Sequence, residues 1–311
     1  MNPNADWFRD QKWGIFTHYL SHEQNKPGTI TNMNVGRLDW NVHVEALDVN
    51  LIAQQLREIG ARYLMFTVMQ GQRFLCAPNA TYDNICGFKP GEACCERDLI
   101  ADLIGALDKY GIALFLYYTG DGPHFDPIAG PAMGYAVQEG PLTDNFLQNW
   151  SDVGREYSMR YGEKVKGWWV DGCYEFFHYT PEKHAILGRG LKAGNPHALM
   201  AYNGGVMKRV EAFSSEDDYT CGEMNDFVDL PDQRFLNGAQ WHTLAPLGIA
   251  PDGSEWGSWC KPGCKRGAEY MMDYVGKVNE RQGIVTIDIA LYRDGHFDPE
   301  QMALLRHLRG M

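Results

Sequence analysis

Positive charge is scarce in this chain. Its 28 Lys and Arg stand against 40 Asp and Glu, a formal charge of -12, which argues against a surface built to neutralise phosphates or anionic lipid. No nucleic acid and no membrane is therefore expected as a partner. Long apolar runs are missing too, since no stretch approaches the ~20 residues of a membrane span. The amino terminus, M-N-P-N-A-D-W-F-R-D, has no basic region leading into an apolar segment, so the expectation is a cytoplasmic chain. No G-x-G-x-x-G follows the first strand-like run and no lysine loop is shaped for a phosphate, so no nucleotide cofactor is expected. No H-x-H or H-E-x-x-H occurs; a metal site would need the distant His18, His124, Asp171 and His242, and none is expected. The cysteines, at 76, 86, 94, 95, 173, 221, 260 and 264, repeat no pair spacing and read as reduced thiols.

What the chain does have is alternation. Short runs rich in branched and aromatic residues occur at 13–20, 62–69, 112–118, 167–170, 198–202 and 283–291. Between them lie segments with apolar residues at helical spacing, such as 48–60 with Asp48 or Asn50 as cap and Gly60 past its end, 97–110, 143–161, 181–191, 266–280 and 299–308. Buried strands alternating with amphipathic helices point to a parallel α/β protein, and 311 residues with 44% hydrophobic content suit one large core. The expected fold is a single-domain (β/α)8 TIM-like barrel over residues 1–311, irregular between 203 and 241, where no clean periodicity exists.

In such a barrel, chemistry gathers at the carboxyl ends of the strands. His18, Gln70, Tyr117 or Tyr118, Asp121, His124, Asp171, Asn203, Glu223, His242 and Asp288 all fall at or near strand ends in this reading. Asp171 is the focal residue: K-G-W-W-V-D-G places a carboxylate where a buried strand gives way to a loop, a costly position unless it is used. Two carboxylates flanking one bond are what glycoside hydrolysis requires, one ionised and one protonated. Glu223 is the candidate partner, with Glu216 and Glu255 as rivals on neighbouring loops. Aromatic residues, 13% of the chain with 9 Trp and 16 Tyr, are available to cover sugar faces.

These residues resemble the α-L-fucosidases of glycoside hydrolase family 29. W-F-R-D-Q-K-W-G-I-F-T-H-Y is similar to that family's W-x-x-x-K-F-G-I-F-I-H-W-G, and L-R-E-I-G-A-R-Y-L-M-F-T to A-K-E-A-G-A-K-Y-F-V-L-T. Arg97-Asp-Leu-Ile, Leu114-Phe-Leu-Tyr-Tyr, Trp168-Trp-Val-Asp-Gly, Gly283-Ile-Val-Thr-Ile-Asp-Ile and Asp294-Gly-His-Phe-Asp-Pro-Glu follow with similar counterparts in the family's order. The resemblance implies a retaining α-L-fucosidase with Asp171 as nucleophile and Glu223 as acid/base, Trp241-His242 standing where the family has W-E. It also implies that His18 contacts the sugar, with Gln70, Tyr118, His124, Trp169, His242 and Trp256 as the further expected contacts. The chain departs from the family where K-H-H-D-G-F is replaced by Met69-Gln-Gly-Gln-Arg-Phe74, and no β-sandwich is expected beside the barrel. The departure keeps open a different sugar specificity, or a carbohydrate-binding barrel without hydrolysis. The expected partner is a small carbohydrate or glycoconjugate, and self-association is left open.

Overall fold

The computed structural model describes residues 2–21, 40–135, 140–254 and 257–311. Seven parallel strands form one curled sheet: β1 (Trp13–Thr17), β2 (Tyr63–Thr67), β3 (Ala113–Thr119), β4 (Val165–Asp171), β5 (Leu199–Tyr202), β6 (His242–Pro246) and β7 (Ile284–Asp288). Their lateral order is β5-β4-β3-β2-β1-β7-β6, so the first and last strands pair side by side within the sheet. Helices predicted from periodicity appear where expected. Val49–Ile59 is capped by the Asp48 carboxylate on Asn50 and Leu51 N–H and stopped by a left-handed Gly60. Asp144–Tyr161, Pro181–Leu191 and Pro299–Leu305 start at Thr143, Thr180 and Asp298 caps.

The expected closed eight-stranded barrel is corrected at one position. Between β5 and β6, among the described residues, no eighth strand joins the sheet: Phe235–Leu236 and Ala239–Gln240 pair only with each other, and residues 217–224 cross the gap with single bridges from Tyr219 to Gln240 and from Glu223 to Leu244. The reason lies in the side chains that meet β5. The Asp218 carboxylate takes the Met200 N–H at 3.0 Å and the Asp217 carboxylate takes the Tyr202 N–H at 2.8 Å, bonds that a neighbouring strand's carbonyls would otherwise make. Burial raises Asp217 to about 7. On the other side the segment meets β6 through backbone bonds, from Leu244 N–H to the Gly222 carbonyl at 2.8 Å and from Met224 N–H to the Leu244 carbonyl at 2.9 Å. Gly222 sits at φ +62°, and a side chain there would run into the His242 carbonyl, so only glycine lets the segment lie this close.

Alternation along each strand divides the core in two. Tyr118, Trp168 and Val170 face outward to the helices, while Phe16, Tyr63, Phe115, Tyr117 and Trp169 fill the interior. The amino end is plugged by a helix the sequence pattern did not announce, Ala5–Gln11. Its Phe8 is fully buried and meets Tyr63, Phe115 and Tyr219 at ring-centre distances of 5.3, 5.0 and 5.1 Å. Phe8→Ala should cost about 3–5 kcal/mol in urea unfolding. A cost below about 1 kcal/mol would show that this helix does not close the interior.

Candidate active site

A cleft of about 220 Å³ opens at the carboxyl ends of the strands, with His18, Gln70, Trp169, Asp171 and Glu223 in its wall. Asp171 ends β4 and is buried. Its Oδ2 accepts from the Tyr117 hydroxyl at 2.6 Å, and its Oδ1 accepts from Asn203 Nδ2 at 2.8 Å. Burial, then the charge of Asp171, push the Tyr117 phenol well above its ordinary value, so it stays a donor. Gln70 Nε2 donates to that same phenol oxygen at 2.8 Å, and Trp169 stacks on the Tyr117 ring at 5.6 Å.

Asn203 ties the second carboxylate in. Its Nδ2 also donates to Glu223 Oε2 at 2.5 Å, and its own oxygen accepts from Gly205 N–H at 3.0 Å, which fixes which way the amide faces. The two hydrogens of one amide thus serve Asp171 and Glu223 together. Burial and the neighbouring charge of Asp171 raise Glu223 to about 7, while the Asn203 bond works in the opposite direction. Near neutrality this pair therefore holds one carboxyl group able to give up a proton beside another that receives two hydrogen bonds.

At the far wall His18 Nδ1 lies 3.3 Å from Asp288 Oδ1, and Asp288 Oδ2 accepts the Cys260 N–H at 2.8 Å. His18, Cys260 and Asp288 bring donor atoms within 4.8 Å of one another, a nitrogen, sulfur and oxygen set able to hold a divalent ion such as zinc. The eight cysteines form no disulfide with one another.

Other residues proposed from the sequence stand elsewhere. Tyr118 is fully buried on the outward face of β3, stacked on Trp150 and donating to its carbonyl, so it does not reach the cleft; its neighbour Tyr117 does. His242 is the first residue of β6, at the end of the strand away from the cleft. Its Nδ1 donates to the Thr220 carbonyl at 2.8 Å and its Nε2 accepts from Thr286 Oγ1 at 2.6 Å, while burial lowers it to about 4 and keeps it neutral. His124 sits outside the cleft wall against Asp121, 2.6 Å away, and burial pushes Asp121 up to about 6. Glu216 is exposed in a surface groove with Arg189 and Lys192, away from Asp171. Trp256 and Glu255 lie outside the described residues. Tyr174 and Trp259 also line the wall, beside Phe16, Leu244 and Cys260, and were not picked out by sequence reasoning. Trp259 stands in the same Gly and Trp rich loop as Trp256, and nothing in the spacing separates the two.

No protein-family model and no curated protein sequence matches the chain. Solved structures do. The chain is similar to MfFcnA4, an endo-fucoidan hydrolase from glycoside hydrolase family 107, with a TM-score of 0.74 at 13% identity over 98% of this chain and 53% of that one. It is also similar to an α-L-fucosidase of family 29 from Bacteroides thetaiotaomicron, with a TM-score of 0.66 at 17% identity over 99% and 73%. A third is the family 107 endo-fucoidan hydrolase P5AFcnA, with a TM-score of 0.69 at 14% identity over 98% and 92%. The chain spans about half the length of the first of these, 53%. At these identities the likeness is one of fold.

Two measurements follow from the shared amide. Glu223 binds its proton more tightly folded than unfolded, so its contribution is fully present below about 4.5 and is lost as pH rises through about 7. Glu223→Gln should therefore gain stability over the native protein as pH rises, by on the order of 2–3 kcal/mol at pH 8. A stability difference that is flat from pH 5 to 8 would contradict the raised pKa. In Asn203→Ala the bond that lowers Glu223 is gone, so the Glu223 titration followed by carbonyl infrared or carbon NMR should move to higher pH. A downward move would rule out the arrangement.

Proposed function

We propose that this chain is a retaining glycoside hydrolase acting on terminal α-L-fucose or a similarly configured sugar. The observation that carries the reading is the single Asn203 amide between Asp171 and Glu223. The two accepting oxygens lie no farther apart than the two bonds combined, about 5.3 Å, an upper limit compatible with the roughly 5–5.5 Å of carboxyl pairs that work through a covalent intermediate. Pairs that work by direct attack of water stand about 6.5–9.5 Å apart. The fold likeness to fucosidases and fucoidan hydrolases, and the family 29 motif order, support the sugar.

In the first step an Asp171 oxygen attacks the anomeric carbon as the glycosidic C–O bond breaks, and Glu223 gives its proton to the departing oxygen. Each Asp171 oxygen uses one acceptor position on Tyr117 or Asn203 and keeps another for the attack. Water then attacks the glycosyl ester, Glu223 takes the proton back, and Asp171 is released as carboxylate. His18, Gln70 and Trp169 hold the sugar in the cleft, and the Tyr117 bond steadies the charge that Asp171 regains on release.

Wild type and Asp171→Gly should be screened side by side against aryl α-L-fucoside and related aryl glycosides. The variant should lose about 10³-fold or more in kcat and recover part of it with azide, which replaces the missing carboxylate and yields a glycosyl azide. Full activity in the variant would sink the assignment; no release from any glycoside by wild type, with sugar binding retained, would favour a binding protein. The rate should fall above about pH 7 as Glu223 loses its proton. Activity should survive EDTA, and loss on chelation would move the chemistry to His18, Cys260 and Asp288.

A further inference from the structure

Two phenylalanines outside the cleft wall stand in water: Phe125 is 56% exposed and Phe176 46% exposed. Singly exposed rings are ordinary on protein surfaces, but these two are joined to the cleft by other rings. Tyr174, in the cleft wall, lies 5.6 Å from Phe176. Phe176 packs on Phe177 at 4.3 Å, Phe177 meets His124 at 5.4 Å, and His124 meets Phe125 at 3.6 Å. Phe125 is held from below: its N–H donates to the Gly71 carbonyl at 3.0 Å, and a Cβ on Gly71, at φ +64°, would lie 2.6 Å from a Phe125 ring carbon. Gly71 follows the cleft residue Gln70, so the lack of a side chain there is what lets the ring sit beside that residue of the wall.

Charge and size narrow what would lie on such a surface. Among the described residues no Lys or Arg enters the cleft wall, and Arg73, nearest along the chain, is paired with Asp126 at 2.7 Å. The described cleft wall thus offers an anionic ligand no Lys or Arg, and the net charge of -12 works against one as well. A cleft of about 220 Å³ is below the range of roughly 300–1,000 Å³ that holds drug-sized molecules, so it takes about one sugar ring. If that ring is the terminal sugar, the next one is the leaving group and lies outside the cleft.

We propose that Tyr174, Phe176 and Phe125 form a second subsite, which binds the leaving-group ring of a neutral oligosaccharide or glycoconjugate by stacking on its apolar face. The proposal rests on the glycosidase reading above and adds the class of substrate: uncharged at the second ring, in preference to sulfated or otherwise anionic saccharides.

The test uses the double variant Phe125→Ala/Phe176→Ala, whose side chains are exposed enough that folding is retained, checked by circular dichroism. The ratio of kcat/KM for a neutral fucosyl disaccharide to that for methyl α-L-fucoside should fall about 10-fold in the variant, mainly through KM. Wild type should also cleave the neutral disaccharide better than a 6-sulfated one. An unchanged ratio, or a preference for the sulfated sugar, overturns the proposal. A parallel titration measures binding of the same disaccharide and of methyl α-L-fucoside to Asp171→Asn with and without the two alanines. This arm separates the two ideas: if wild type hydrolyses nothing, the reaction falls, and the subsite stands or falls on whether the alanines weaken disaccharide binding selectively.

Discussion

Two carboxylates, Asp171 and Glu223, share the amide of Asn203, and the arrangement of the cleft follows from the need to satisfy them out of water. A buried carboxylate that accepts nothing is expensive, and two of them close together are more so. The sheet meets that need from three adjoining positions. β3 brings the Tyr117 hydroxyl, β4 ends in Asp171, and the residue after β5 is Asn203. Glu223 arrives from the irregular segment, held to β6 by its neighbours' backbone bonds. Because Asn203 can donate to both while its oxygen is occupied by Gly205, the pair is spanned by a neutral group, and burial, with the charge of Asp171 beside it, raises the Glu223 pKa.

The missing eighth strand and the candidate chemistry are linked. A regular strand beside β5 would bond its amides with carbonyls and point alternate side chains inward. Here Asp217 and Asp218 take those amides with their side chains, which frees the following residues from strand geometry and allows the turn at Gly222 that presents Glu223 to Asn203. The same departure explains why periodicity faded in this part of the sequence: side chains that substitute for backbone pairing leave no alternating pattern.

Much of the frame was legible in the residues. Asp171 and His18 stood out because each closes a short buried run, and their neighbours in the chain are apolar enough to fix the strand. The Asn203 strand end was visible for the same reason. Tyr117 and Tyr118 were not separable, since adjacent residues of a strand with both faces buried point to opposite sides and both sides accept an aromatic ring. His242 misled through its position after Trp241, because a strand's start and end look alike in a five-residue run. Phe8 was hidden in a helix too short to show a pattern. The Gln70-Gly71 departure reads differently in three dimensions: Gln70 braces the Tyr117 hydroxyl, and Gly71 yields its space to Phe125.

The central claim is that Asp171 forms a covalent bond to the sugar. Incubation with 2-deoxy-2-fluoro-α-L-fucosyl fluoride, whose fluorine slows the second step, followed by peptide mass spectrometry, tests it directly. The account predicts one added fluorofucosyl group on the peptide containing Asp171, on that residue. Turnover of ordinary fucosides with no adduct, or an adduct on another side chain, would contradict it.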